Sequence, residues 1–545
     1  MLPSRTWTRG CVVKKVVLLV GGAALVTIAA AIPYFPRGTD LYVHVLWPWQ
    51  VMRCLHAGAL PVWLPDLNAA YGSPGIGLYS PLSPTICGAL GLIFGTGGRG
   101  VRAALVLAAM AVVAVAPGSS RRARLMTAGL VLFSPVMLTE FFGRFPVAQL
   151  LAVPIAWMVL ETAARGRWRW EREGLLFSVL WLIHAPTTML VGVISVLAMV
   201  IGRVFDRFES GERDHPTTLM KHPAVQLGTA LVVAAGLTLW HWFPLIGMAS
   251  DFPLRSALTE GEHNPLRNFI GVSGPHLPDI NIAMGWAAVG LLTALLVSGT
   301  WKTRRGALAV IAVILSTWIS GPVWRYLAPL DWIQFPWRWL FPAVLLATPA
   351  LVEALPSQRM SNRIVAVGAL MIPLVGMPPP QIVPDPELDV RTDAQLAGTK
   401  VAECFSGNPF LIDVMEHRPL WWEDMAETMA LVGPARAVLV PSGGTAEIVQ
   451  WSPLERRLVV DTPVTATLVV RLLADRHWAA SVNGRSTEPT RWGAAVAMTT
   501  PAGRSEIDVS WRADPTAGIG VVVGLFLLGV IYKRFRRTQR SAPHP

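Results

Sequence analysis

The sequence predicts a polytopic α-helical membrane protein with an external β-sandwich domain before its last span, and three observations predict it. The chain has 545 residues, of which 53% are hydrophobic and only 15% charged, where a soluble chain carries about a quarter. Apolar runs long enough to cross roughly 30 Å of hydrocarbon recur along it. Short basic clusters separate those runs: Arg5, Arg9, Lys14 and Lys15; Arg121, Arg122 and Arg124; Arg165, Arg167 and Arg169; Lys302, Arg304 and Arg305; Lys533, Arg534, Arg536 and Arg537. That spacing is what the positive-inside bias produces. The net charge of +12 therefore belongs to loops, and no basic face with interleaved aromatics points to nucleic acid.

Runs able to span are 15–33, 101–117, 124–140, 146–163, 174–184, 186–203, 223–247, 281–299, 306–322, 338–355, 363–378 and 516–533. The first has basic flanks and no small-residue cleavage site, so it reads as an uncleaved span. Residues 82–96 are apolar too, but short and glycine-rich. If they do not cross, every basic cluster falls on one side, joined by Arg203, Arg207, Arg213 and Lys221. If they cross, the cluster at 121–124 and all later ones land outside. Parity thus predicts twelve spans, both termini cytoplasmic, and 82–96 as a re-entrant or surface-lying helix. The pair 174–184 and 186–203 is broken by Pro186.

The domains follow: a transmembrane domain over 1–378 with a long first external loop at 34–100, an external soluble domain over 379–515, and a final span with a basic tail over 516–545. Shorter external pieces fall at 141–145, 248–280 and 323–337. Residues 446–451, 456–461, 465–473 and 476–482 alternate apolar and polar. Asn483-Gly484 is a strong hairpin signal, and Pro501-Ala502-Gly503 marks another turn before 506–511. These place an antiparallel β-sandwich in 440–515. The four cysteines, Cys11, Cys54, Cys87 and Cys404, form no CxxC pair or metal spacing. Cys54 and Cys87 both fall outside, either bridged or, the favoured alternative, as separate buried thiols.

Candidate chemistry gathers in the external loops. Asp40 follows the first span closely, and a carboxylate near the membrane boundary needs a partner or a function. The competing role for Thr39-Asp40 is a helix cap. His44 lies one helical turn on, sharing a face with Asp40. Trp47, Trp49, Trp63, Tyr71 and Tyr79 suit short interfacial helices that would hold a fixed acid beside a lipid-embedded substrate. Arg338 opens a span beside Gln334, Trp337 and Trp339; it is either a snorkelling cation or a phosphate clamp, because guanidinium binds phosphate oxygens bidentately. Glu140 and Arg144, at the outer end of the third span, invite the same two readings. His184, at the helix break His184-Ala185-Pro186, is more often a satisfied core residue than a catalytic one. The sequence has no GxxxxGK[ST] loop and no HExxH signature, and the glycine-rich 95–100 stretch falls outside.

The order Asp40…His44, Gly58…Pro61-x-Trp63, Tyr71-Gly72-x-Pro74 and Tyr79-x-Pro81-Leu82 resembles the first external loop of GT-C glycosyltransferases, most closely bacterial membrane proteins related to 6-pyruvoyl-tetrahydropterin synthase and YfhO-like proteins. Gln334-Phe335-Pro336-Trp337-Arg338 looks like their late-span motif and Leu182–Thr187 like their mid-chain histidine motif. The stretch His477–Gly484 before a β-run and a last span resembles the end of YfhO-like chains. The resemblance implies a bacterial plasma-membrane transferase that takes a sugar from a polyprenyl-phosphate donor to an envelope glycan, lipid or protein acceptor on the non-cytoplasmic face. It makes Asp40, with His44, catalytic, and puts Arg338, Arg144, Tyr79, Gln334, Trp337 and His184 around the donor phosphate. Some relatives hold a divalent cation (Mg or Mn) on an acidic pair. Here positions 38 and 42 are Gly38 and Tyr42, so metal-independent chemistry is favoured. A lipid or glycan transporter or flippase would predict internal repeats and midplane charges, which the sequence lacks. A non-catalytic envelope-assembly protein using the β-domain for partners is the other alternative.

Overall fold

The computed structural model describes residues 22–32, 34–36, 40–65, 72–73, 79–210, 222–248, 266, 268–270, 278–326, 333, 335–354, 358–371, 382–384, 431–432 and 435–540. The readings made of Tyr71, Pro74, Gln334, Cys11 and Cys404 lie outside those residues, as do most of 248–280 and 379–434.

The helices are α1 (Gly22–Ala31), α2 (Leu41–His56), α3 (Leu82–Phe94), α4 (Gly97–Val115), α5 (Arg121–Leu132), α6 (Pro135–Thr139), α7 (Val147–Arg165), α8 (Trp170–Ile183), α9 (Ala185–Ser210), α10 (Pro223–Leu237), α11 (Leu239–Met248), α12 (Pro278–Ser298), α13 (Arg304–Leu315), α14 (Gly321–Tyr326), α15 (Leu340–Ala354), α16 (Met360–Met371) and α17 (Pro515–Arg540). Among the described residues, five are long and apolar enough to cross a membrane: α4, α7, α12, α17 and the 185–203 part of α9. The number reaches seven if two bent pairs each count as one span, α5 with the 135–144 segment and α10 with α11. The bends have local causes. Ser134 caps α6 through its side chain, with Pro135 in the first turn, which forces a new helix axis. At Thr238 the hydroxyl bonds back to the Ala234 carbonyl where α10 ends and α11 begins at 73°.

α7 sits at the centre, 83% of its apolar window buried, whereas that of α17 is 17% buried. One is enclosed by protein; the other shows lipid-compatible side chains outward. α3, the segment predicted not to cross, packs between α2 and α4 through Ser83, Cys87, Gly88 and Gly91. Cys54 and Cys87 are separate buried thiols, so the bridged alternative does not hold. Ion pairs tie one end of the bundle: Glu161 meets Arg165 at 2.6 Å and also Arg305, which reaches Glu353 at 3.0 Å. Arg534 meets Glu171 in the same basic layer.

The C-terminal region is β-sheet. Strands β3 (Ala437–Val440), β6 (Ala466–Leu473), β10 (Ala495–Thr500) and β9 (Thr490–Trp492) form a four-stranded antiparallel sheet. Strands β4 (Thr445–Trp451), β5 (Glu455–Thr462), β11 (Gly503–Trp511), β7 (Trp478–Val482) and β8 (Arg485–Thr487) form a five-stranded one. Asn483 and Gly484 turn β7 into β8 with φ of 52° and 75°, the mirror-image turn that the dipeptide favours. Both sheets feed one hydrophobic cluster, and Trp63 of the first loop is part of it. Trp63 is fully buried, edge-on to Trp478 at 5.2 Å and tilted on Trp511 at 4.8 Å. A second tie joins β1 (Tyr34–Pro36) to β2 (Ile382–Pro384) as an antiparallel pair. The first loop is therefore held by later parts of the chain at two points, the β-region at Trp63 and β2 at β1.

Gly72 makes the Trp63 insertion feasible. Its φ is +87°, and a Cβ there would lie 2.1 Å from Trp63 Nε1. Gly72→Ala thus adds backbone strain and a clash and should destabilise by about 2 kcal/mol, lowering the thermal midpoint of the detergent-solubilised protein; an unchanged midpoint would show that Trp63 is not seated as described.

His477 closes the junction with α17. Its Nδ1 lies 2.6 Å from Asp475 and its Nε2 3.5 Å from Asp514, the residue that accepts from Thr516 N–H at 2.8 Å to start α17. Burial opposes the charged imidazole, but the hydrogen bond and charge of Asp475, aided by Asp514, outweigh it and Arg476 and hold His477 above its ordinary 6.5. A folded value above the unfolded one stabilises fully below about pH 6.5 and is lost as pH rises through the folded value. Amide exchange at 512–517 should accelerate on the alkaline side after correction for intrinsic rates, and His477→Gln should abolish that dependence.

Candidate functional site

The site lies at the end of the bundle opposite the Glu161–Arg305 layer. Asp40 starts α2, but its side chain makes no cap bond to that helix. It turns instead to Arg144, Oδ2 to Nη2 at 2.7 Å, so the helix-cap role is excluded. Arg144 reaches Glu140 through Nη1 at 3.3 Å. Side-chain exposure is 4% for Arg144, 2% for Glu140 and 30% for Asp40. Here the carboxylates converge on one guanidinium rather than on an open position, and among the described residues no group of three or more His, Cys, Asp or Glu side chains could hold a metal ion.

The local backbone explains the convergence. Residues Glu140–Arg144 form a single π-helical turn, and Phe145 follows in the left-handed region at φ 61°. A π-turn ending in a non-glycine left-handed residue is a strained element of the kind found where side chains must be aimed. Packing holds it: the Phe145 ring is edge-on to Phe35 at 5.4 Å and to Phe141 at 5.5 Å. The Arg144 carbonyl accepts the Asp40 N–H at 2.9 Å, so the two residues are joined through main chain as well as side chain.

Arg338 comes from the 3₁₀ turn Pro336–Trp339 before α15 and is 5% exposed. Its Nη1 donates to the Ile333 carbonyl at 3.3 Å, and its Nε has no hydrogen-bond partner among the described residues. No carboxylate pairs with it there. The Phe335 ring carries both cations, Arg338 at 4.9 Å and Arg144 at 5.2 Å from its centroid. Trp337, buried, stacks on Phe335 at 4.6 Å. Trp337 thus supports the aromatic platform on which the two arginines lie.

His44 follows Asp40 by one turn, half-buried in a cleft lined with Trp47, Tyr79, Pro84 and Val147. Burial pushes its pKa down to about 4, Asp40 pulling upward and Arg144 downward, so the imidazole is neutral across ordinary pH. His184 is buried at the α8–α9 break, where its Nδ1 accepts the Thr187 N–H at 3.3 Å and meets the Thr187 hydroxyl at 2.6 Å. Its neutral form therefore carries the proton on Nε2. It caps α9 and also faces Tyr79, whose ring lies edge-on at 6.2 Å. Asp40, His44, Arg144, Arg338, His184 and Tyr79 are thus brought together; Gln334 lies outside the described residues.

Sequence reasoning missed what holds Tyr79. The Trp181 indole N–H donates to His241 Nδ1 at 3.3 Å, and His241 Nε2 then donates to the Tyr79 carbonyl at 2.8 Å. Ser80 Oγ donates to the Trp181 carbonyl and accepts from the Ala185 N–H. A histidine inside the apolar run 223–247 was the available signal.

Removing the Asp40 carboxylate takes one charge-assisted hydrogen bond from Arg144 and leaves Glu140 to pair with it. Asp40→Asn should therefore destabilise by about 1.5 kcal/mol, while the double variant with Arg144→Gln should cost less than the sum of the singles. Additive losses in thermal unfolding would contradict the pairing. In comparisons with protein families, curated proteins and solved structures no match to this chain was found, and the geometry of the site carries the functional conclusion.

Proposed function

We propose that this chain is a GT-C-type glycosyltransferase that moves a sugar from a polyprenyl-phosphate donor to an envelope glycan, lipid or protein acceptor at the non-cytoplasmic face of a bacterial plasma membrane. The observation that supports it most is Arg338: a guanidinium buried without a carboxylate among the described residues is costly unless an anion completes it. It lies beside a carboxylate held by a second arginine. A phosphate that leaves and a hydroxyl that must lose its proton need those two groups. The order of motifs resembling the GT-C first loop and late-span segment agrees with this assignment.

In the proposed reaction the acceptor oxygen attacks the anomeric carbon and the bond from that carbon to the phosphate oxygen breaks. Asp40 takes the hydroxyl proton. Arg338 and Arg144 offset the charge on the departing polyprenyl phosphate. His44, neutral, orients the acceptor or passes its proton, and Tyr79 and His184 wall the site. The reading needs no bound cation.

The finer architecture belongs to the same proposal. Helix occurs in each of the twelve predicted runs, with α1, α8, α13, α15 and α16 as short or tilted crossings, both termini cytoplasmic, and the two sheets as an external β-sandwich. Asp40→Asn, assayed in membranes supplied with a radiolabelled polyprenyl-phosphate sugar, should lower transfer about 10²- to 10⁴-fold at normal expression. Retained transfer would remove Asp40 from the role of base.

A further inference from the structure

The two roles of Asp40 conflict: an ion-paired carboxylate is a weaker base than a free one, yet Asp40 is paired with Arg144 at 2.7 Å. Resting on the anion-binding reading of Arg338, we infer that the Asp40–Arg144 pair is a latch that an incoming phosphate opens, so that donor binding itself releases the base from Arg144.

Four features of the site fit an exchange rather than a fixed brace. Asp40 is the partner with room to leave, 30% of its side chain being exposed against 4% for Arg144. When Asp40 swings away, Arg144 does not become an orphaned buried charge, because Glu140 still pairs with it at 3.3 Å. The main-chain bond from Asp40 N–H to the Arg144 carbonyl keeps the start of α2 in place while only the carboxylate moves. Finally, Arg144 and Arg338 share the Phe335 ring, and each feels the charge of the other. A phosphate bound at Arg338 therefore gains a second cation by taking the guanidinium edge that Asp40 holds, and it relieves the repulsion between the two arginines. The order of events follows. An acceptor alone meets a paired, weak base, so proton removal waits for the donor.

The test uses the full chain in detergent and reads modification of Asp40 by a hydrophobic carbodiimide, which attacks the protonated carboxyl, quantified by peptide mass spectrometry. Farnesyl phosphate is the probe, its binding measured independently by calorimetry. The latch predicts low modification in the free protein and a rise of about tenfold or more on saturation, the change in protonated fraction that loss of one guanidinium partner brings. Farnesyl alcohol should leave it low. Inorganic phosphate giving the same rise would assign the latch to phosphate in general, and a rise with the farnesyl compound alone would assign it to lipid-borne phosphate; both support it. Arg338→Gln should lose farnesyl phosphate binding and the rise together. Arg144→Gln should show the raised level without ligand, with Arg144→Lys, which keeps the buried charge, in between if the glutamine variant does not fold. Measured binding with unchanged modification in the wild-type chain would overturn the latch while leaving the anion site standing. Failure of both phosphates to bind would overturn the anion site, and the latch with it.

Discussion

The contact between Asp40 and Arg144 is the constraint on which the rest of the site depends. It spans 104 residues of sequence and joins the start of the first long loop to the π-turn after α6. Its main-chain half, the Asp40 N–H on the Arg144 carbonyl, fixes where α2 begins. Once α2 is fixed, His44 is set one turn along it and Trp47 faces Tyr79 at 5.9 Å. The strained Arg144–Phe145 backbone is held by aromatic packing on Phe35 and Phe141, which ties the geometry of the site to β1 and hence to its pairing with β2.

A separate contact, through Trp63, gives the β-region a physical relation to the site. Trp63 is embedded in the β-region's own hydrophobic cluster, and Cys54 near the end of α2 donates its thiol to the Trp63 carbonyl. α2 is consequently anchored at its start by an ion pair and at its far end by an indole buried among Trp478 and Trp511. Two attachments on one helix restrict its rotation far more than either alone. The helix that carries Asp40 and His44 thus behaves as part of a frame that includes the sheets.

Much of this was legible in the sequence, and the exceptions have physical causes. Basic clusters separated the two ends of the bundle because charge is read one residue at a time. Asn483-Gly484 located its hairpin because that turn is a local property. Asp40 and Arg144 were each singled out, one as a candidate catalytic carboxylate and the other as a candidate phosphate-binding cation, but not as a pair, since nothing in one chain reveals a contact across 104 positions. Hydropathy counts composition and not axis direction, so the breaks at Ser134 and Thr238 within predicted spans were invisible. Trp63 looked like an interfacial aromatic; its burial in a domain some 400 residues away depends on Gly72 leaving room. His241 was hidden by the apolar run around it, and its role emerged only with its two partners in view.

A structure of the full chain bound to a short-chain polyprenyl phosphate, determined by electron cryomicroscopy, tests the central claim most directly. Phosphate density within hydrogen-bonding reach of Arg338 and Arg144, with the Asp40 carboxylate turned away from Arg144, is the predicted result. A headgroup resting elsewhere, with the Asp40–Arg144 pair unchanged, would contradict it.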